Sequence, residues 1–320
     1  MDIVLLLPGQ GSQKVGMGRD LFDASAAARA AFETANDAIG IDLAALAFEG
    51  PEDELRRTHN AQPALLTHSA AAWAMLADVL TPHVVAAAGH SLGEFSAYHV
   101  TGALDLAAAV RVVRRRGELM FETGQQRPGA MSAIVGTLQS PIEDVCTQAS
   151  AEAGLVVPAN YNSPEQVVIS GETAGVERAM ELARAAGAKR CLPLPVSGAF
   201  HSPLMAPAAP GLEAAIDAAG LQDPRVPVFA NVDGSAVTRA DAARPLLVQQ
   251  LTAPVQWTRV MQQLVQAHPD ALYVELGTGS VLSGLARRIA PSVRTMTAGT
   301  LADVEKLLEL VHTERTTHAH

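Results

Sequence analysis

Gly89-His90-Ser91-Leu92-Gly93-Glu94 is the stretch that decides the fold, because it places one serine between two glycines at a sharp turn. The apolar run Val84 to Ala88 precedes it, and Phe95 to Val100, which we predict to be a helix, follows it. A strand, a tight turn and a helix are the context of a nucleophile elbow, which exposes a serine hydroxyl at the start of the helix. A serine in an ordinary turn between a strand and a helix gives the same pattern, so both interpretations of Ser91 stay open.

Predicted strands and helices alternate on both sides of this turn. Ile3 to Leu7 is predicted to be a buried strand, and helices are predicted at Ser25 to Ile39, at Pro63 to Leu80 and at Leu104 to Thr123. This alternation favours an α/β fold with a parallel sheet.

The pattern of the chain changes at 127–197, where short β-like runs and two helical segments follow each other. Their predicted order is β-α-β-β-α-β, which resembles a ferredoxin-like α+β subdomain. Longer helices and buried strands return after it. We therefore expect a small subdomain at 127–197 inserted into a large catalytic domain of residues 1–126 and 198–310, with a disordered tail at 311–320.

Composition and charge argue against several functional classes. The 320 residues sum to a net charge of −10, which argues against a nucleic-acid partner. Cys146 and Cys191 stand far apart, so we expect neither a disulfide framework nor a zinc site, as in a reducing cytoplasm. The N-terminus does not have the pattern of a signal peptide, and no uninterrupted apolar stretch is long enough for a membrane span. We expect a cytoplasmic protein without a membrane partner, and nothing in the sequence demands more than a monomer.

Two further segments carry residues suited to chemistry with a serine nucleophile. Pro8 to Gln13 follows the first strand, but Lys14 stands where a dinucleotide fingerprint needs its third glycine. Gln10 in this loop can instead donate a hydrogen bond to a substrate oxygen. His201, just before a predicted helix, is our candidate base, since His90 is the chain neighbour of the serine and would point away from it.

Arg116 is an anomaly on the predicted helix Leu104 to Thr123. A helical projection places its side chain beside Ala109 and Met120, at the border of the apolar face. A guanidinium that turns inward there needs an anionic partner. That partner is either an internal carboxylate or a substrate carboxylate, unless the side chain extends outward to water.

Seven short motifs occur in a fixed order along the chain. They are P-G-Q-G-S-Q at Pro8 to Gln13, G-H-S-L-G-E at Gly89 to Glu94, R-G-E-L-M at Arg116 to Met120, N-x-N-S-P at Asn160 to Pro164, G-A-F-H at Gly198 to His201, Q-L-x-x-P-V-x-W at Gln250 to Trp257 and E-L-G-T-G at Glu275 to Gly279. Each motif alone is weak, but together they resemble the malonyl-CoA:acyl carrier protein transacylase family over nearly the whole chain. The resemblance implies a large α/β-hydrolase-like domain with a parallel sheet and a small inserted ferredoxin-like subdomain.

The same resemblance implies catalytic roles for five residues. Ser91 would be the acylated nucleophile, and His201 would be its base. The main-chain carbonyl of Gln250 would orient the histidine in place of an acidic residue. The backbone N–H groups of Gln10 and Leu92 would form the oxyanion hole.

The substrate site follows from the resemblance as well. Arg116 would bind the malonyl carboxylate, and Met120, Asn160 and Phe200 would line the acyl pocket. Phe200 belongs to the G-A-F-H variant, whose bulky aromatic residue goes with malonyl over branched methylmalonyl groups.

By this resemblance the protein would transfer the malonyl group of malonyl-CoA to the phosphopantetheine thiol of an acyl carrier protein, for fatty acid or polyketide synthesis. The mechanism would be ping-pong through a malonyl-serine, without a metal or bound cofactor. Carrier proteins are usually acidic, so docking on this acidic chain would need a local basic patch. The candidates are Arg111, Arg114, Arg115, Lys189, Arg190, Arg287 and Arg288.

Several alternatives stay open. A trans-acting polyketide acyltransferase and the transacylase subunit of a malonate decarboxylase would use the same chemistry. A serine thioesterase or esterase would share the elbow, but it predicts an acidic residue between Ser91 and His201 and gives no reason for Arg116. A non-catalytic binding module would need none of these three residues.

Overall fold

The computed structural model describes residues 1–196 and 198–317 of the chain. The part before the predicted insertion begins with a strand, continues through a group of helices and returns to a second strand just before Ser91. Its elements are β1 (Ile3–Leu7), α1 (Arg19–Ala24), α2 (Ala26–Ile39), α3 (Leu43–Glu49), α4 (Glu52–Arg56), α5 (Thr58–Leu80), a 3-10 turn (Thr81–His83), β2 (Val84–Gly89), α6 (Gly93–Val100) and α7 (Leu106–Gln126).

The inserted segment has the predicted order of strands and helices. Its elements are β3 (Ala130–Val135), α8 (Ile142–Ala153), β4 (Val156–Ser163), β5 (Gln166–Gly171), α9 (Thr173–Ala185) and β6 (Arg190–Pro193). The strands form an antiparallel sheet in the order β4-β5-β3-β6. Both helices share a small apolar core with this sheet. The predicted ferredoxin-like subdomain is confirmed.

The chain then returns to the large domain through a short 3-10 helix. The elements of this part are the 3-10 helix (Pro203–Ala208), α10 (Ala209–Ala219), β7 (Val228–Phe229), β8 (Ala236–Val237), α11 (Ala240–Gln249), α12 (Trp257–Ala267), β9 (Leu272–Glu275), α13 (Val281–Ile289), β10 (Arg294–Thr297) and α14 (Leu301–Thr317). Strands from both ends of the chain therefore contribute to the large domain.

A six-stranded sheet organises the large domain, in the order β10-β9-β1-β2-β7-β8. Neighbouring strands are parallel except β7 and β8, which pair antiparallel at one edge. Leu7 at the end of β1 lies opposite Gly89 at the end of β2. The loop after β1 and the turn at Ser91 therefore emerge side by side at the carboxyl edge of the sheet, where ligand sites of open α/β sheets form. The predicted α/β fold with a parallel sheet is confirmed.

The central strands are buried on both faces, as their apolar sequences predict. All five residues of β1 have no exposed surface. Ile3, Leu5 and Leu7 face a core that contains α2, α5 and α7, whereas Val4 and Leu6 face a second core that contains α12 and α13. Because helices cover both faces of the sheet, a ligand site can form at its carboxyl edge.

The helix α5 and the 3-10 turn after it, Thr58–His83, are long and apolar enough to span a membrane by length and composition. They comprise 26 residues; the most apolar 18-residue window has a mean hydropathy of 1.2, and 67% of that window is buried inside the protein. The helix packs against α2 and α7. That position in the core accounts for its apolar composition.

The structure corrects the prediction for the C-terminal tail. We expect disorder at 311–320, but α14 continues through Thr317, so the expectation is wrong for 311–317. The physical reason is that Val304, Leu307 and Val311 recur at helical spacing and are buried in the core. Residues 318–320 lie outside the described residues. The domain boundaries 1–126 with 198–310, and 127–197, remain our proposal.

Candidate active site

Ser91 lies at a strained turn between β2 and α6. Its φ angle is 53°, a left-handed conformation that residues with a side chain rarely adopt. Only glycine fits two residues before Ser91 and two residues after it, at Gly89 and Gly93. A Cβ on Gly89 would lie 1.9 Å from the carbonyl carbon of Gly93, and a Cβ on Gly93 would lie 2.2 Å from the carbonyl oxygen of Leu7. The turn therefore has the geometry of a nucleophile elbow.

The hydroxyl of Ser91 shares a hydrogen bond with His201. Ser91 Oγ lies 2.8 Å from His201 Nε2, and His201 Nδ1 lies 2.8 Å from the main-chain oxygen of Gln250. Because a carbonyl oxygen only accepts, Nδ1 carries the hydrogen, and Nε2 of the neutral ring accepts from the serine. His90 is turned away and contacts Asn162 Oδ1 through its Nε2 at 2.8 Å. The structure thus brings the predicted serine, histidine and carbonyl together.

The ring of His201 is held in its neutral form. Burial lowers its pKa, and the nearby positive charge of Arg116 lowers it further, to about 3. The hydrogen bond with the carbonyl of Gln250 acts in the opposite direction but does not outweigh them. At pH 7 His201 is therefore a base that can accept the serine proton.

Arg116 is buried beside the nucleophile, with 1% of its surface exposed. Its Nη1 donates to Gln62 Oε1 at 2.7 Å, and its Nη2 donates to Gln250 Oε1 at 2.9 Å and to Ser91 Oγ at 3.1 Å. The guanidinium carbon also lies 5.6 Å from the ring centroid of Phe95. Burial lowers its pKa to about 10, so the guanidinium stays charged at pH 7.

These contacts bear on the two interpretations of Arg116. The side chain does not extend to water, and within the described residues its hydrogen-bond partners are uncharged oxygens and no carboxylate forms a salt bridge with it. The buried carboxyl group of Glu94 raises the pKa of Arg116 by electrostatic attraction but forms no salt bridge with it. A buried cation is costly unless it is paired, and an anion that enters the cavity could pair with the guanidinium directly. A substrate carboxylate as the direct partner of Arg116 stays our prediction.

A cavity of about 160 Å³ opens over Ser91, where the large domain meets the insertion. The predicted acyl-pocket residues Met120, Asn160 and Phe200 all border it. Its full lining is Gln10, His90, Ser91, Met120, Met131, Asn160, Asn162, Val168, Leu194, Val196, Phe200 and His201. Both domains therefore contribute to the wall around the nucleophile.

The predicted oxyanion-hole residues flank Ser91. Gln10 lies in the loop after β1, where its Oε1 accepts a hydrogen bond from Thr58 Oγ1 at 2.9 Å. Leu92 caps the N-terminus of α6, where amide N–H groups lack partners within the helix. The side chain of Leu92 is fully buried in the core, so its backbone is what it can offer to a ligand.

Main-chain hydrogen bonds join the insertion to the large domain next to the cavity. Val255 N donates to the oxygen of Ala159 at 2.8 Å, and Tyr161 N donates to the oxygen of Val255 at 2.9 Å. Asn160 lies between these two bonds on β4 and bridges to Val255. Its position in the cavity wall is thus fixed by backbone pairing.

Sequence reasoning missed polar residues that hold the site together. Asn231 Oδ1 accepts from the N–H of Ser91 at 2.7 Å, and its Nδ2 donates to the oxygen of Gly89 at 2.7 Å, so it fixes the elbow. Gln62 holds one side of the Arg116 guanidinium. A signal was present for each: Asn231 comes soon after the last residue of β7, and Gln62 is a polar residue inside the apolar helix α5.

The candidate metal ligands and the two cysteines were also located in the described part of the chain. Among the described residues, no group of three or more His, Cys, Asp and Glu side chains could hold a metal ion. Cys146 is buried and Cys191 is half-buried, and both are free thiols. Neither thiol lines the cavity over Ser91.

Comparison with known proteins decides the family. The family model described as the acyl transferase domain matches residues 4–311. The chain belongs to the acyl transferase family. Its relatives include the malonyl CoA-acyl carrier protein transacylase of Bacillus subtilis, 41% identical over 313 residues with 98% of each chain covered. The malonyl CoA-acyl carrier protein transacylase of Escherichia coli K12 is 45% identical over 296 residues, which cover 92% of this chain and 94% of that one.

Solved structures of this acyl transferase family share the fold along nearly the whole chain. The acyl-carrier-protein-S-malonyltransferase of Bartonella henselae superposes with a TM-score of 0.92 at 39% identity, covering 98% of this chain and 100% of that chain. A malonyl-transacylase in complex with its type II PKS acyl-carrier protein gives a TM-score of 0.91 at 39% identity, covering 97% and 99%. The resemblance that the motifs predict is confirmed.

Proposed function

We propose that this acyl transferase moves the malonyl group of malonyl-CoA to the phosphopantetheine thiol of an acyl carrier protein through a malonyl-serine. One observation carries the proposal: Ser91 Oγ lies within hydrogen-bond distance of both a neutral base, His201 Nε2 at 2.8 Å, and a buried cation, Arg116 Nη2 at 3.1 Å. A nucleophile between a base and a cation suits an acyl group that carries its own carboxylate.

Acylation uses the contacts of the free enzyme. Ser91 Oγ attacks the thioester carbonyl carbon of malonyl-CoA while His201 Nε2 takes the hydroxyl proton. The carbonyl oxygen becomes an oxyanion, which the backbone N–H groups of Gln10 and Leu92 stabilise. The C–S bond then breaks, His201 returns the proton to the CoA sulfur, and the malonyl group stays on Ser91 as an ester.

Transfer to the carrier runs through the reverse sequence. The phosphopantetheine thiol gives its proton to His201 Nε2, and its sulfur attacks the ester carbonyl. The C–O bond to Ser91 breaks, and the serine oxygen recovers the proton from His201. The main-chain carbonyl of Gln250 keeps His201 in the tautomer that both steps need.

Selectivity for malonyl comes from the carboxylate receptor. Arg116 pairs with the malonyl carboxylate, while Gln62 and Gln250 hold the guanidinium in place. Met120, Asn160 and Phe200 form the wall around the acyl chain. The bulk of Phe200 would disfavour a branch at the α-carbon of the acyl group. An acetyl group offers no carboxylate, so it gains nothing from the buried cation.

The remaining features of the proposal rest on composition and on this chemistry. The reaction needs no metal or bound cofactor, since every proton passes through His201. We propose a cytoplasmic monomer without a nucleic-acid or membrane partner, which supplies fatty acid or polyketide synthesis. A trans-acting polyketide acyltransferase and a malonate decarboxylase subunit would use the same site. The orientation of His201 by a carbonyl, and the presence of Arg116, favour a malonyl transferase over a thioesterase or esterase.

Intact-mass spectrometry tests the proposal. Malonyl-CoA without carrier protein should leave a stable malonyl adduct on the wild-type protein and none on Ser91→Ala, because the site must resist water to transfer to a thiol. Addition of a carrier protein with its phosphopantetheine arm should remove the adduct and malonylate the carrier. An adduct on the alanine variant would place the nucleophile elsewhere, and rapid release of free malonate would favour a hydrolase.

A further inference from the structure

Glu94 is a fully buried carboxyl group that the proposed mechanism does not use. It lies in the first turn of α6, three residues after the nucleophile, with no exposed surface. Its Oε2 accepts from Gln250 Nε2 at 2.6 Å and from the main-chain N–H of Asn231 at 3.1 Å. Burial raises its pKa to about 7, against the opposing effect of these hydrogen bonds.

Gln250 connects this carboxyl group to the rest of the site. Its main-chain oxygen meets His201 Nδ1, its side-chain Oε1 accepts from Arg116 Nη2, and its Nε2 donates to Glu94 Oε2 and to the main-chain oxygen of Ser91. A single side chain thus touches the carboxylate receptor, the nucleophile and a buried acid.

The chemistry of an amide group makes these contacts depend on each other. An amide has one accepting oxygen and one donating NH2, so the atom that faces Glu94 fixes the atom that faces Arg116. Oε2 of Glu94 receives two donors, which makes it an acceptor whether or not Oε1 carries a proton. The NH2 of Gln250 must therefore face Glu94, and the oxygen must face the guanidinium. If the amide of Gln250 were reversed, its NH2 would face the guanidinium of Arg116, which also only donates. Its oxygen would face Oε2 of Glu94, which also accepts, so both contacts would be unfavourable.

We propose that Glu94 is a positioning residue that locks the orientation of the Gln250 amide and thereby holds the Arg116 guanidinium in place for the acyl carboxylate. Glu94 itself touches neither substrate nor reacting atoms. The inference rests on the proposed function, because Arg116 selects malonyl there. It adds that this selection depends on an acid that does not contact the ligand.

The test compares acylation of Ser91 by malonyl-CoA and by acetyl-CoA in four variants. Glu94→Ala should lower the ratio of the two kcat/KM values by about 10- to 100-fold, the range for loss of a hydrogen bond to a charged group. Glu94→Gln keeps the side-chain length and an accepting oxygen, so it should restore the ratio to within about threefold of the wild type, as expected when only the charge is lost and the hydrogen bonds are kept. Gln250→Ala keeps the carbonyl that orients His201 and should lower the ratio as Glu94→Ala does.

The double variant Glu94→Ala with Gln250→Ala tests whether Glu94 acts on Arg116 through the side chain of Gln250. If Glu94 acts through the Gln250 side chain, the double variant should show the ratio of Gln250→Ala alone. Additive losses, or equal losses for both CoA esters in Glu94→Ala, overturn the proposal, since a merely structural acid would lower both activities and the Tm together. Glu94→Asp replaces Glu94→Ala if that variant does not fold. Failure of the wild type to form a malonyl adduct would overturn the proposed function instead.

Discussion

The buried guanidinium of Arg116, which forms no salt bridge with any described residue, is the residue-scale feature on which the proposed selectivity depends. Arg116→Ala would leave the malonyl carboxylate buried without a partner, so we expect malonylation of Ser91 to fall by about 30- to several-thousand-fold. Acetylation should hold or rise because the acetyl group has no carboxylate. Arg111→Ala, at an exposed position of the same helix, is the matched control. Rates with both CoA esters and the Tm measure the outcome, and a parallel loss of both rates with a large fall in Tm would make Arg116 structural.

His201 gives a pH dependence at the same scale. Its pKa of about 3 in the folded protein lies below the ordinary 6.5, so the ring stays neutral as the pH falls. The kcat/KM for acylation should therefore be flat between roughly pH 8 and pH 5, where an ordinary histidine would lose activity. The unfolded chain binds this proton near pH 6.5 and the folded chain does not, so folding stability should decrease as the pH drops below that value.

Rapid-quench rates and urea midpoints across this range measure both effects. Arg116→Ala removes the second cause of the lowered pKa of His201. The inflection in the pH profile of this variant should therefore lie at higher pH than in the wild type. A wild-type decline centred near pH 6.5 would contradict a buried, neutral base.

Sequence patterns identify side chains that are anomalous where they stand. Ser91 between glycines and Arg116 at the border of an apolar face can both be recognised without a structure. Gln62 and Asn231 cannot be assigned roles in the same way, because the partner of a buried amide depends on which distant elements pack against it. Their types and positions were visible, but their contacts follow from the tertiary fold.

At the scale of elements, the close approach of α6 to β1 makes the elbow intolerant of a side chain. Gly93→Ala would place a Cβ 2.2 Å from the main-chain oxygen of Leu7, which cannot move without disturbing the sheet. We expect a lower Tm and loss of Ser91 acylation. Gly284→Ala on α13 is the control, because its Cβ would meet no atom within 4 Å. That variant should keep full activity and gain about 0.5–1 kcal/mol of stability, as expected for alanine in a helix. A Gly93→Ala protein with normal Tm and acylation would contradict the packing argument.

Elements were predictable where the apolar period was clear. The pattern from Val281 to Ile289 predicts α13 with the bounds that the structure shows, since its apolar residues recur every three or four positions. The strand β10, Arg294–Thr297, is missed because it is a polar edge strand whose residues are half-buried or exposed. The apolar run Val226 to Ala230 predicts a strand that contains β7, Val228–Phe229, whereas the two-residue strand β8 is too short to leave a period in the sequence.

Under the proposed function, the whole molecule has to dock an acidic carrier although its own net charge is −10. Lys189 and Arg190 are exposed at the start of the edge strand β6, and the chain continues from there to Leu194 and Val196 in the cavity wall. We expect Lys189→Glu with Arg190→Glu to raise the KM for the carrier several-fold without changing acylation at saturating malonyl-CoA. Added salt should raise the wild-type KM as well, because exposed charges are screened.

Lys306→Glu, an exposed charge reversal on α14, is the control for this docking surface. Steady-state transfer to the carrier at several salt concentrations measures the effect. An unchanged KM for the carrier in the variant with Lys189→Glu and Arg190→Glu would mean that the carrier docks at other residues.

The arrangement of the two domains was predictable as an insertion, since the pattern of short strands begins and ends within the chain. The cavity that the two domains share was not predictable from the sequence. Its wall combines Met120 of the large domain with Met131 and Asn160 of the insertion, and only the packed structure shows that these positions meet. Contacts between residues that are far apart in the chain leave no repeating pattern in the sequence.

The backbone bonds that tie Val255 to Ala159 and Tyr161 have a consequence for substrate traffic. A hinge opening at this point would break main-chain hydrogen bonds of the buried residue Val255, so we expect the cavity around the nucleophile to keep its shape during the reaction. Under the proposed ping-pong mechanism, CoA would then leave and the carrier thiol would enter one after the other through the existing opening of the cavity over Ser91.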